Sequence, residues 1–133
     1  MNKTAAKEWL RIAYHDLFSA KILYDAKHFT DSIGCDIQQS IEKVFKAILA
    51  SKNKKIPKSY DLIELYSYIE NEIEINDAQL VLLARATEYY TEERYPNPNH
   101  ELPSRKEIKE VLNFAEKLFY QVCANFQIDI KDL

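Results

Sequence analysis

Apolar residues recur every three to four positions along most of this chain, the spacing of one face of a helix. Trp9, Ala13, Leu17, Ala20 and Tyr24 form the first such line, widened by Leu10, Ile12 and Leu23. It predicts a helix from about 5 to 28. Phe29, Thr30, Asp31 and Ser32 supply a short break with good capping residues. A second line follows, Ile37, Ile41, Val44 and Ile48 with Phe45 and Leu49 beside it, and predicts a helix ending near Ala50. A polar line of Gln39, Glu42, Lys43 and Lys46 runs along the same helix. Such a line is most simply a solvated face.

A lysine-rich loop ends in Pro57. A third helix is expected from about Ser59, with Asp61 in its first turn and Leu62, Leu65, Tyr66 and Ile69 buried, fading by Glu74. Asn76 and Gln79 have the spacing of a reciprocal cap. They open a fourth helix bearing Leu80, Leu83, Ala84, Thr87, Tyr89 and Tyr90. Pro96 and Pro98 forbid helix through the next segment, since proline lacks the amide proton and restricts the residue before it. Ser104 with Glu107 reads as a capping box. Ile108, Val111, Ala115, Leu118, Val122 and Phe126 then give a last helix, and the tail from 127 is expected to fray. Few residues separate the elements, so neighbours should lie antiparallel. The expected fold is all-α, an up-and-down bundle of four to five helices in a single domain spanning 1–133.

Composition narrows this further. One glycine in 133 residues argues against a turn-rich β fold and excludes a P-loop, a dinucleotide fingerprint and a nucleophile elbow. Cys35 and Cys123 are far apart, match no CxxC pattern, and are expected as buried reduced thiols of a cytoplasmic protein. No apolar run reaches the roughly 18 residues of a membrane span, and no secretory signal opens the chain. The net charge of −3 gives no general pull on nucleic acid. Its distribution is uneven. Residues 43–58 carry six lysines and no acid, whereas 61–93 carry nine acids and only Arg85 as a base. A local anion-attracting patch and a plainly solvated loop both fit this pattern.

Asp16 is out of place among Trp9, Ile12, Ala13, Ala20 and Leu23. A carboxylate at the edge of an apolar face needs a partner. Lys43, Arg94 or a tyrosine hydroxyl could serve, so the first reading of Asp16 is a structural pair. His15, His28 and His100 have no paired spacing, so no metal site is expected. Arg94 and His100, with five residues between them, form the one catalytic pair the chemistry favours. Cleaving RNA without a metal needs a group to move the 2′-hydroxyl or leaving-group proton, and histidine does this near neutral pH. It also needs a cation for the charge growing on the phosphate, and arginine meets that geometry bidentately. The bland alternatives are an exposed loop histidine and a helix-end arginine.

Four pieces, in order, carry a resemblance. Trp9…Ala13…Asp16-Leu17…Ala20…Leu23 is similar to the opening helix of the HEPN family (higher eukaryotes and prokaryotes nucleotide-binding domain). Gln39-x-x-Glu42-Lys43-x-x-Lys46-Ala47-x-Leu49 is similar to its second-helix signature. Tyr60-Asp61-Leu62-x-x-Leu65 resembles the segment that usually reads His-Asp-Leu, with tyrosine for histidine. Arg94-Tyr95-Pro96 resembles its Arg-Tyr-Pro. The resemblance is to the small stand-alone prokaryotic members.

It implies a homodimer, a nucleotide or RNA ligand, and a minimal nucleotidyltransferase as partner, often in a toxin–antitoxin pair; no cofactor is expected. It also implies a shared polar cleft lined by Asp16, Gln39, Glu42, Lys43 and Arg94, with Lys46, Tyr60, Asp61 and Tyr95 as further binding residues. The ribonuclease branch carries Arg-x(4–6)-His across the dimer interface, which Arg94 and His100 satisfy. The reading is therefore a nucleotide- or RNA-binding helical subunit. The alternatives are a metal-independent endoribonuclease, and a non-catalytic interaction module docking through the acidic 61–93 stretch.

Overall fold

The computed structural model describes residues 1–94 and 101–133, the side chains of 92–94 excepted. Five α-helices follow one another: α1 (Lys3–Asp25), α2 (Thr30–Ser51), α3 (Leu62–Ser67), α4 (Asp77–Arg94) and α5 (Arg105–Asn125). A 3-10 turn, Ile130–Asp132, closes the chain, and no strand occurs among the described residues. The all-helical bundle matches the periodicity.

The backbone of Asn2 donates to the Ser51 carbonyl at 2.7 Å, and Ser40 Oγ donates to the Ala13 carbonyl at 2.8 Å. These partners run in opposite directions, so α1 and α2 are antiparallel along their length. Lys3 Nζ on the Gln127 carbonyl and Arg105 on the Tyr24 carbonyl make the same argument for α1 and α5. α2 is the axis of the bundle and packs against each of the other four helices. Ile33, Ile37, Ile41, Phe45 and Leu49 are all buried, and so are Glu42 and Lys46 from the supposedly solvated line.

The register of α1 differs from expectation. Ala6, Leu10, Ala13, Leu17 and Ala20 form the buried stripe, while Ile12 is 45% exposed and Trp9 only half-buried. α4 is likewise rotated: Leu83, Ala86 and Tyr89 point inward and Ala84 outward. The third helix is much shorter than expected. Asp61 accepts from the amides of Ile63 and Glu64 and so starts it at Leu62. The Tyr66 hydroxyl then donates to the Ile73 carbonyl and accepts from the Ile75 amide. That bridge holds a turn that buries Ile69, Ile73 and Ile75 together, which a continuing helix would not do.

The expected caps of α4 and α5 form, with one change. Asn76 and Gln79 cap reciprocally at 2.8 and 3.0 Å. Ser104 accepts from the Glu107 amide at 3.0 Å, but the Glu107 carboxylate reaches Arg85 and the Tyr89 hydroxyl instead of turning back. The tail does not fray: Ile128 is buried and Leu133 packs on the core. Cys123 is buried and Cys35 only half-buried, with neither in a disulfide.

The helix ends show why one glycine suffices. α1, α2 and α5 each end with a left-handed residue that is not glycine, Lys27 (φ 57°), Asn53 (φ 56°) and Gln127 (φ 54°). Each closes by the paired hydrogen bonds of a Schellman motif, for example His28 N to Leu23 O and Lys27 N to Tyr24 O, both 3.0 Å. Gly34 is kept for packing. A Cβ built there would lie 2.8 Å from Tyr89 Cγ, so α4 can approach α2 this closely only over a glycine.

Candidate functional site: a polar cleft on α2

The part of α2 left uncovered is a narrow stripe of half-buried residues that includes Asp36, Gln39 and Lys43. α1 forms one wall. Asp16 Oδ2 meets Lys43 Nζ at 2.5 Å, with 24% and 18% of the two side chains exposed. This partner resolves the anomaly of a carboxylate on the apolar edge of α1. The pair still faces solvent, so its lysine can exchange one anion for another.

Deeper lies a second pair. Lys46 Nζ is 3.0 Å from Glu42 Oε2, with only 10% and 11% of the side chains exposed. Lys46 also sits over the Trp9 ring, 5.9 Å from its centroid. Gln38, which is completely buried, ties this pair to the next element. Its Nε2 donates to Glu42 Oε1 at 3.1 Å and to the Tyr60 carbonyl at 2.8 Å. Its Oε1 accepts from Gln39 Nε2 at 2.7 Å. Buried charges persist when paired and hydrogen-bonded throughout. Glu42 and Lys46 therefore act as a fixed polar floor, and Lys43 is the cation at the surface.

Through Gln38 the network reaches the segment before α3, which lies against the end of α4. The rings of Tyr60 and Tyr90 stack 4.4 Å apart with 17° between their planes. Arg94 ends α4 one helical turn beyond Tyr90. Its guanidinium, and the whole of Tyr95 and His100, lie outside the described residues. Asp61 takes a structural role, since its carboxylate caps α3.

A family model for the HEPN domain matches residues 6–124. The chain belongs to the HEPN domain family. Two solved structures share its fold. TT1696 from Thermus thermophilus is 21% identical with a TM-score of 0.75, covering 92% of this chain and 97% of that one. ST0689, an archaeal HEPN homologue, is 18% identical with a TM-score of 0.68, covering 91% and 97%. Comparison with curated proteins gave no match.

In this HEPN chain, then, Gln39, Glu42, Lys46 and the Tyr60 carbonyl are linked through Gln38, and Asp16 pairs with Lys43 on the same helix α2. Gln38 and Tyr90 join them and were not singled out from the sequence. Gln38 had a readable signal, because it stands four positions before Glu42 and so faces it on the helix. Tyr90 had none beyond its place on α4. Among the described residues no group of three or more histidine, cysteine or acidic side chains could hold a metal. Nor is any helix among them long and apolar enough to cross a membrane. A cavity of about 610 Å³ lies elsewhere, between α4 and the start of α5, and is lined by Arg85, Tyr89, Ser104 and Glu107 among others.

Proposed function

We propose that this protein is the nucleotide- or RNA-binding helical subunit of a cytoplasmic toxin–antitoxin-like pair whose other member is a minimal nucleotidyltransferase. The binding reading is carried by the Asp16–Lys43 pair, a part-exposed cation on α2, and supported by the Tyr60–Tyr90 stack that Gln38 ties to the same helix, with Arg94 one helical turn beyond Tyr90. A phosphate approaching Lys43 replaces a single carboxylate contact, and the family resemblance assigns Arg94 as a second donor. The neighbouring rings offer a base a surface to stack on. The nucleotidyltransferase partner rests on the family resemblance. Self-association as a homodimer is supported by α1, whose outer side leaves Ile12, Phe18 and Ile22 45%, 51% and 52% exposed.

Calorimetry with nucleotides at low ionic strength tests the binding reading, low salt because phosphate contacts are screened. Wild-type protein binds, and Lys43→Ala and Arg94→Ala each weaken binding at least tenfold. Equal affinity in all three sinks it.

A second reading, a metal-independent endoribonuclease, is favoured by the Arg94-x5-His100 spacing. It requires RNA cleavage in chelator that both Arg94→Ala and His100→Ala abolish. Normal cleavage by His100→Ala rules that mechanism out, while nucleotide binding should be indifferent to His100.

A further inference from the structure

Between α2 and α3 the chain runs without helix over 54–61. Ile56 and Pro57 are half-buried, while Lys54, Lys55, Lys58 and Tyr60 are exposed. Lys52, just before this stretch, is held by Glu72 at 3.3 Å. No acid pairs with Lys54, Lys55 or Lys58 among the described residues. Exposed lysines alone would signify only solubility. Two further features set this segment apart.

The first is charge. Lys54, Lys55 and Lys58 fall within seven residues, 54–60, that carry no acid, in a chain whose net charge is −3, so the positive charge here is concentrated locally. The second is the ring that follows. Tyr60 lies against Tyr90 on one face and is 42% exposed. Its carbonyl is fixed from below by Gln38, so the ring is held from two sides. A large aromatic face kept flat at the surface is a platform for an unpaired base. Bases within a duplex are stacked on each other and cannot use it.

We propose that 54–60 is a docking track for an unpaired strand of nucleic acid. A base stacks on the outer face of Tyr60, and the backbone phosphates run past Lys58 towards Lys55 and Lys54. This rests on the cleft reading and extends its ligand from a nucleotide to a strand. Six residue steps span at most about 22 Å. A strand of about six nucleotides covers that length at a rise of about 3.4 Å.

Fluorescence anisotropy at low salt tests this with three labelled probes: an RNA 10-mer, the same 10-mer annealed to its complement, and a nucleoside monophosphate. Wild-type protein should prefer the single strand to the duplex at least fivefold. In the triple variant Lys54→Ala/Lys55→Ala/Lys58→Ala, the ratio of strand affinity to mononucleotide affinity should fall at least tenfold, with a shallower salt dependence. Tyr60→Ala should weaken strand binding by about five- to a hundredfold and Tyr60→Phe should restore it. Both substitutions leave the carbonyl bonded by Gln38 in place, and circular dichroism checks the fold. Preference for duplex, or an unchanged ratio in the triple variant, overturns the track. If Lys43→Ala still impairs mononucleotide binding in that case, the cleft stands without it. Wild-type protein that binds none of the three probes overturns the cleft reading as well.

Discussion

Gly34 and the ring of Tyr89 are in direct contact, with no room for a side chain between them. The contact fixes how α4 lies on α2. Tyr90, the next residue, is thereby aimed at Tyr60, and Arg94 follows one turn later. Tyr89 cannot easily give way, because it is 3% exposed and its hydroxyl is bonded to Glu107. Gly34→Ala should therefore destabilise the protein by about 1–3 kcal/mol, the usual cost of overpacking, despite the better helix propensity of alanine. Thermal denaturation followed by circular dichroism measures it. A stabilised variant would show that the ring moves aside.

The Glu42–Lys46 pair makes a prediction of the opposite kind. Removing one member leaves the other buried and uncompensated. Glu42→Ala should cost about 3–5 kcal/mol in urea denaturation. It also takes one acceptor from Gln38. The double variant Glu42→Met/Lys46→Met should recover most of that loss, because apolar replacements of similar volume remove both charges together.

Asp16 competes with any phosphate for Lys43. Asp16→Asn frees the lysine, so nucleotide affinity should rise by about two- to fivefold, the equivalent of a part-exposed ion pair worth up to about 1 kcal/mol. Stability should fall by less than about 1 kcal/mol. Titration calorimetry of both proteins checks the direction. Weaker binding in Asp16→Asn would mean that the carboxylate itself contacts the ligand.

The two thiols should differ in reactivity. Burial pushes the Cys123 thiol up to about 11 from an ordinary value of 9.0, so it stays protonated in the fold. At pH 8 a thiol reagent should leave Cys123 unmodified in native protein and modify it once the chain is unfolded. The raised value also fixes a pH dependence. Below about pH 9 both folded and unfolded chains keep the proton. Above it the unfolded thiol ionises first, so this residue's contribution to stability is lost as the pH climbs towards 11. Urea midpoints at pH 8 and pH 10 for wild type and Cys123→Ala isolate the effect.

Much of the architecture was legible because three helices carry long, unambiguous stripes. The misreadings trace to interactions that local spacing does not encode. α3 stops at Ser67 because a tyrosine hydroxyl seven and nine residues from its partners holds a turn. The tail docks because Lys3, at the other end of the chain, bonds the Gln127 carbonyl. The cleft was half legible. Asp16 declared its need for a cation, and Lys43 supplies it from 27 positions away. The polar line of α2 looked solvated because periodicity marks a face without saying what covers it. Trp9 and the segment at Tyr60 cover it here.

The central place of α2 bears on how the molecule comes apart. Every other helix rests on it, so an excursion that exposes α2 must lift several neighbours at once. Its amides should be the last to exchange with deuterium, at a rate set by global unfolding. The floor of the cleft is thus the most persistent part of the fold, and the walls around it are where breathing motions are confined.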